Sequence, residues 1–447
     1  MSDTHDSAPN STPSSVHPFA IANYRYFWTA RLFAMFSLNA MMLVVGWQAY
    51  NLARDSGSSI EQAAFVLGII GLVQFLPLFV LTPIVGWVAD RADRRWIARI
   101  VLSGQALVAL ILALMTYFDA ISIISIYAVS ALLGIARAFL GPAMTSLAPN
   151  LVPADSLPRA IALSTIAWQV GVIAGPAMAG PLYAISPSFP YFICVALFVV
   201  ATLAMFLISP VPRSIMNRTH GPLKQLVDGL AYVGTNKLVL GAITLDLMVM
   251  FLAGAQAMIP VFARDILGSD ELALSLLAPA PAIGAVLTGA LLSIYPLKKN
   301  VGLVMLASMM IFGIGTIGFG LSTWLPLSII CLAACGAADM FGVFVRSSLI
   351  QLHTPDEKRG RVNAVSQMTI SASNELGDAF TGSLAFIIGP VAAIVGGGAG
   401  AIAVTAFWSR LFPQLAAAKT FDQPDHLLKA EPKHSNIEND KTAPDAK

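Results

Sequence analysis

Long unbroken apolar runs, separated by short polar breaks, set the pattern of this chain. Twelve segments carry the roughly 20 apolar residues that cross a bilayer as a helix. They span about 28–52, 63–89, 97–118, 121–144, 160–184, 189–208, 238–262, 272–294, 301–321, 325–349, 363–387 and 389–413. None shows the alternating pattern of an outer-membrane barrel strand. Lipid offers no partner to backbone groups, so each segment must satisfy its own, which selects helices. The narrowest divisions are Asp119-Ala120 and Gly389-Pro390. The pattern predicts an all-α membrane protein with twelve transmembrane helices.

The polar remainder divides the chain further. Residues 1–20 are rich in Ser, Thr, Pro, Asp and Asn and hold no Lys or Arg. Together with 416–447 they are predicted to be disordered cytoplasmic tails. The first apolar stretch, beginning after Arg25 and Arg31, is too long for a signal-peptide core, so no cleavable leader is expected. The longest internal polar stretch, 209–237, separates a six-helix bundle at 21–208 from a second at 238–415. Within it Leu223, Leu226, Val227 and Leu230 recur at helical spacing, with Lys224 and Asp228 off that face. This predicts an amphipathic helix at the membrane surface.

Composition agrees with lipid as the main solvent. Residues AVILMFWYC make up 57% and charged residues 11% of the 447, against about 25% charge in soluble chains. Mean hydropathy is +0.75. A soluble enzyme and a disordered chain are excluded. The net charge of +2 and the lack of a recognition motif argue against nucleic acid as a partner. Lys and Arg also set an orientation. With the N-terminus inside, the outer loops hold only Arg54 and Arg264 of the 26 basic residues. That is a strong positive-inside signal, placing both termini in the cytoplasm. Cys194, Cys331 and Cys335 are read as packing residues. With no metal-ligand cluster and no nucleotide-binding loop, neither a metal nor a cofactor is expected.

The halves resemble each other. A shift of 202 positions over 153–180 superposes Pro153 on Pro355, Arg159 on Arg361 and Ala162 on Ala364. It also superposes Ser164 on Ser366, Gly175 on Gly377, Ala177 on Ala379 and Gly180 on Gly382. Just upstream, Gly134 meets Gly336 and Arg137 meets Asp339. Two pseudo-symmetric six-helix bundles that rock about a central site are a transporter architecture.

Candidate chemistry follows from charge and from small residues. In the turn after segment 2, Gly86 permits close helix approach. Asp90, Arg91, Arg94 and Arg95 can pair with one another and with neighbouring helix ends, as a latch that holds one conformation; headgroup anchoring is the plainer reading. Charges inside lipid are costly and mark function. Asp246 has no charged neighbour within a turn and suits proton exchange. Arg137 and Asp339 hold matching positions, either as a pair across a cavity or as two separate elements. Glu375 and Asp378, three apart on one helix, are the other proton-coupling candidates. Arg31 is close enough to a helix end to snorkel and ranks below these. Gly171, Gly175, Pro176 and Gly180 suit close packing and a kink in segment 5. Trp47, Gln48 and Gln74 are possible cargo contacts, with Trp47 equally an interface anchor.

Gly86-Trp-Val-Ala-Asp90-Arg91-Ala-Asp93-Arg94-Arg95 resembles the loop 2–3 signature of the major facilitator superfamily, with Asp93 where that pattern has Gly. Gly171 through Gly180 resembles the family's glycine-proline signature of helix 5, which it associates with antiporters. Asn23-Tyr-Arg25-Tyr-Phe-Trp28, Trp47-Gln48-Ala-Tyr50, Pro149-Asn150-Leu151-Val152-Pro153 and Pro355 through Val362 are similar to the bacterial subgroup of enterobactin-type siderophore exporters and macrolide-efflux proteins. The resemblance implies a monomeric inner-membrane protein in contact with membrane lipids that exports a small organic substrate in exchange for protons. Import by proton symport and lipid or lysolipid flipping use the same fold. A non-transporting sensor or a membrane enzyme is the reading of another class.

Overall fold

The computed structural model describes residues 16–210, 222–269 and 271–420. Every regular element among them is helical. The first half contains α1 (Ala22–Asp55), α2 (Ile60–Arg91), α3 (Arg94–Tyr117), α4 (Ile123–Leu147), α5 (Leu157–Ile185) and α6 (Phe189–Phe206). The segment between the halves contributes α7 (Pro222–Thr235). The second half contains α8 (Lys237–Leu252), α9 (Glu271–Leu277), α10 (Ala280–Ile294), α11 (Val301–Leu321), α12 (Leu325–His353), α13 (Asp356–Ile388) and α14 (Pro390–Leu411).

Eleven described spans are long and apolar enough to cross a membrane. The twelfth expected crossing, α13, is a continuous 33-residue helix but too polar to qualify. Glu375, Asp378, Asn374 and Gln367 lie on it and line cavities, while its last turn carries the exposed Phe386, Ile387 and Ile388. Two expected crossings are interrupted. Past α8 the chain unwinds and re-forms tight and wide turns over 256–266. The break between α9 and α10 falls at Ala278-Pro279.

The two halves use one packing scheme. α1 packs on α5 and α6, α3 on α4 and α6, and α2 on α4. The second half repeats this with α8 on α13 and α14, α11 on α12 and α14, and α10 on α12. The matched glycines explain part of the likeness. Gly134 of α4 lies against the Gln74 carbonyl of α2, and Gly336 of α12 against the Pro281 carbonyl of α10. A Cβ at either site would meet backbone, so each helix pair closes only around glycine. The bundles meet along α2 with α13 and α5 with α9.

Two boundaries differ from expectation. The N-terminal tail was expected to run to residue 20, yet Pro18–Ala20 forms a 3-10 turn. Phe19 packs edge-on against Trp28 at 5.3 Å, and the Val16 carbonyl accepts from Ser156. The C-terminal tail starts later than 416, because the Ala418 carbonyl accepts from the Gly302 amide at 3.0 Å. Residues 1–15 and 421–447 of these tails lie outside the described residues. The expected amphipathic helix is α7. It docks through Gly229 against the Arg361 carbonyl, through an Asp228–Arg361 ion pair of 3.1 Å and through Tyr232, which donates to the His353 carbonyl. Val227 and Leu230 stay exposed at 56% and 52%, a surface suited to lipid.

Candidate functional site: acids, arginines and the inter-bundle cavities

The face of the molecule carrying the start of α1 is called here the tail face; the opposite one is the far face. α1 has 34 residues, about 51 Å of helix, which exceeds the roughly 30 Å hydrocarbon core. That length lets its last residues rise clear of lipid at the far face. There they meet the chain past α8. Arg54 donates from Nη2 and Nε to the Asp265 carboxylate at 2.9 and 3.2 Å. Tyr50 donates its hydroxyl to the same carboxylate. Arg264 reaches back to Asn51 Oδ1 at 2.6 Å and Asp55 Oδ1 at 2.7 Å. The exchange is reciprocal: each bundle gives one arginine and one aspartate to the other. Sequence reasoning used Arg54 and Arg264 only to orient the chain. Their being the two basic residues on the outer side was the available signal for this clamp.

Below the clamp the bundles stay closed. Gly68 of α2 approaches Gly382 of α13, where a Cβ would lie 3.0 Å from its Cα. Gly180 of α5 lies against Ser275 and the Glu271 carbonyl of α9. Gly171 and Gly175 serve a different contact, against Met35, Phe36 and Ala40 of α1 within their own bundle. Pro176 lines a cavity of about 230 Å³ between the bundles. Nearer the tail face the bundles part around a cavity of about 810 Å³. Arg31, Phe79, Arg137, Trp168, Gln367 and Met368 are among its lining residues.

The membrane charges form two groups. Arg137 of α4 pairs with Glu375 of α13 at 2.5 Å and donates to Gln74 at 3.4 Å. This ion pair joins the bundles. It corrects the Arg137–Asp339 pairing considered above; the two matching positions are separate elements. Asp246 of α8 has its partner on another helix, Arg346 of α12, with side chains 3% and 4% exposed. Arg346 was missed because its position near a helix end reads as a snorkelling cation. Asp339 lies two helical turns before Arg346 on α12, and no described side chain donates to it or pairs with it. It lines a cavity of about 130 Å³ that also receives Asp378, Asn374 and Gln256. Asp378 borders the 230 Å³ cavity as well, with Glu375, Gln74 and Asn39. The order in space is therefore Asp339, Asp378, Glu375, Arg137, and then the large cavity.

Other expected residues fall elsewhere. Trp47 and Gln48 are buried inside the first bundle and line none of these cavities. Gln48 is held by Thr116 at 3.1 Å and accepts from Tyr191 at 2.7 Å. Gly86, Asp90 and Arg91, at the end of α2, lie outside the residues described at side-chain level. Arg94 donates to the Ser146 carbonyl at the end of α4. Arg95 pairs with Asp93 at 2.6 Å and reaches the Ile208 carbonyl past α6. Helix C-termini leave carbonyls unpaired, and these arginines cap them. Asp93 accepts from the Arg95 amide and is the N-cap of α3, a task glycine lacks a side chain to perform. Cys194, Cys331 and Cys335 are free.

Residues 27–378 match the Major Facilitator Superfamily. The chain belongs to that superfamily. It is 24% identical over 327 residues to macrolide efflux protein A of Streptococcus pyogenes, covering 70% of this chain and 79% of the relative. It is 26% identical over 337 residues to the enterobactin exporter EntS of Shigella dysenteriae, covering 73% and 78%. A bacterial homologue of the human lysosomal transporter Spinster, solved inward-facing and unoccupied, superposes with a TM-score of 0.66 at 17% identity, over 88% of this chain and 98% of that one. A D-xylose–proton symporter gives 0.66 at 12% identity, over 88% and 98%. This major facilitator protein is a membrane-spanning secondary transporter of small organic solutes and not an enzyme.

Proposed function

We propose that the protein exports a small amphipathic organic compound from a bacterial cytoplasm in exchange for protons. It works as a monomer in the inner membrane, with lipid around the bundles and both tails cytoplasmic. The tail face is then the cytoplasmic one, and the structure is open inward and closed outward. The observation carrying the coupling is the placement of Asp339 and Asp378 on one cavity of about 130 Å³ with no cation paired to either among the described residues. A carboxyl there can accept a proton from outside when the far face opens and release it inside when that face closes.

Glu375 stands between this acid pair and the cargo cavity. Its ion pair with Arg137 ties the bundles together. Protonating Asp378 changes the charge beside Glu375, and so the strength of that tie. Proton and cargo then compete for the state in which the bundles are joined, which is the physical content of exchange. Asp246, held by Arg346, positions α8 against α12. Gly86, Asp90 and Arg91, with Arg94 and Arg95, form the tail-face latch of the opposite conformation. Export is favoured over import by the two efflux relatives.

The test uses liposomes under an imposed pH gradient and a panel that includes a macrolide and a catecholate siderophore. Cargo-dependent proton movement is expected, and Asp339→Asn or Asp378→Asn removes it while the protein still folds and inserts. Transport of any panel compound with no accompanying proton movement overturns the coupling.

A further inference from the structure

Arg31 is the one charged residue of the large cavity whose charge nothing answers. Its Nε is buried without a hydrogen-bond partner, and no described side chain forms an ion pair with it. Tyr24, two helical turns before it on α1, donates its hydroxyl to the Ala160 carbonyl at 2.6 Å. A guanidinium nitrogen shut off from water is costly unless an acceptor meets it. From sequence Arg31 ranks below the other membrane charges, as a cation able to snorkel to the nearby helix end. In the structure it lines the cavity. The second cation there, Arg137, is already answered by Glu375.

The cavity thus has one unanswered positive charge and no carboxylate among its described lining residues. The rest of the wall is apolar and adaptable. Phe75, Phe79 and Trp168 give flat faces, while Met35, Met144 and Met368 are flexible fillers. At about 810 Å³ it has the size of a site for one drug-sized molecule. Gln367 and Ser371 face it from α13, so a ligand seated on Arg31 of the first bundle touches the second.

We infer that this cavity takes an amphipathic organic anion, its negative group on the Arg31 guanidinium and its apolar body against Phe79 and Trp168. The inference rests on the transport reading and names its cargo class. An acidic cargo fits this wall, and a cargo whose only charge is an amine does not.

Equilibrium binding to the purified full-length protein, without any gradient, tests it apart from coupling. The probes are radiolabelled pyrenebutyrate and naphthoate, each paired with its own carboxamide. The acids are expected to bind saturably and about tenfold more tightly than the amides, the scale of one charge-assisted hydrogen bond. Arg31→Gln erases the preference for acid over amide. Arg31→Lys keeps most of it, which a merely structural role for the arginine does not predict. Phe79→Ala weakens acid and amide alike. Equal affinity for acid and amide, absence of saturable acid binding, or an unchanged preference in Arg31→Gln overturns the inference. Proton-coupled transport of a neutral or cationic compound alone would sink this cargo class and leave the exchange mechanism standing.

Discussion

At the residue scale, the same type of side chain has been put to opposite uses. Asp246 and Asp339 are both acids in membrane helices, and the isolation of Asp246 along the chain marked it from sequence as the one suited to proton exchange. Asp246 meets Arg346 in a nearly dry contact, whereas Asp339 faces a cavity. Removing one partner of a buried ion pair strands the other charge, at a cost of about 3–5 kcal/mol. Arg346→Met is therefore expected to lower the unfolding temperature in detergent sharply. Asp246→Leu with Arg346→Met should recover most of that loss, since well-packed apolar residues replace such pairs at little cost. Asp339→Asn, with no pair to break, should leave the unfolding temperature nearly unchanged and alter proton movement. A large thermal loss in Asp339→Asn would show that it too is a structural acid. Asp93 gives the converse lesson. It departs from the superfamily pattern, and its side chain performs an N-cap at the start of α3.

At the element scale, helix ends and glycine contacts decide what can move. The far-face clamp is made of partly exposed pairs: Arg54 and Asp265 keep 25% and 13% of their side-chain surface, Arg264 and Asp55 33% and 65%. Such pairs contribute about 0.2–1 kcal/mol each. That is enough to bias an equilibrium of a few kcal/mol and too little to freeze it. Asp265→Ala removes the acceptor of both Arg54 and Tyr50 and should shift the population toward opening at the far face. A cysteine placed at Met42, which lines the closed cavity beneath the clamp, should then react several-fold faster with an impermeant maleimide added from that side. Unchanged labelling would mean that the α2–α13 and α5–α9 contacts alone keep the face shut. Those contacts are tight by construction. Gly180→Leu forces a side chain into Ser275 and the Glu271 carbonyl, so it should favour the far-open state more strongly than the loss of the clamp.

At the scale of the whole molecule, the two bundles are near-equivalent bodies joined by a few contacts of different character. The far face is closed by helix packing and a polar clamp, the middle by Arg137–Glu375, and the tail side is parted by a cavity. Alternation requires these contacts to exchange. A short reducible dithiol crosslinker joining cysteines placed at Asn51 and Arg264, whose long side chains meet at 2.6 Å, should block transport while leaving the large cavity able to bind from the tail face. Reduction should restore transport. Continued transport with the bridge formed, measured as uptake into inverted vesicles, would show that the far face need not separate there.

Sequence alone determined the solvent, the helical class, the division into halves and the superfamily, because each depends on local composition, spacing or short motifs. Apolar run length fixes a spanning helix whatever its neighbours are, and a duplicated glycine pattern survives as a register of identities. It also found Glu375 and Asp378, since a charge in a lipid-length segment is conspicuous by itself. Tertiary structure alone decided who partners whom. Arg137 and Glu375 stand 238 positions apart in the chain, and Arg54 and Asp265 stand 211 apart. Spacing along one helix carries no information about a side chain on another. The same holds for Arg31: near a helix end it has an easy route to water on paper, and only the packing of α1 against its neighbours turns it inward to a cavity.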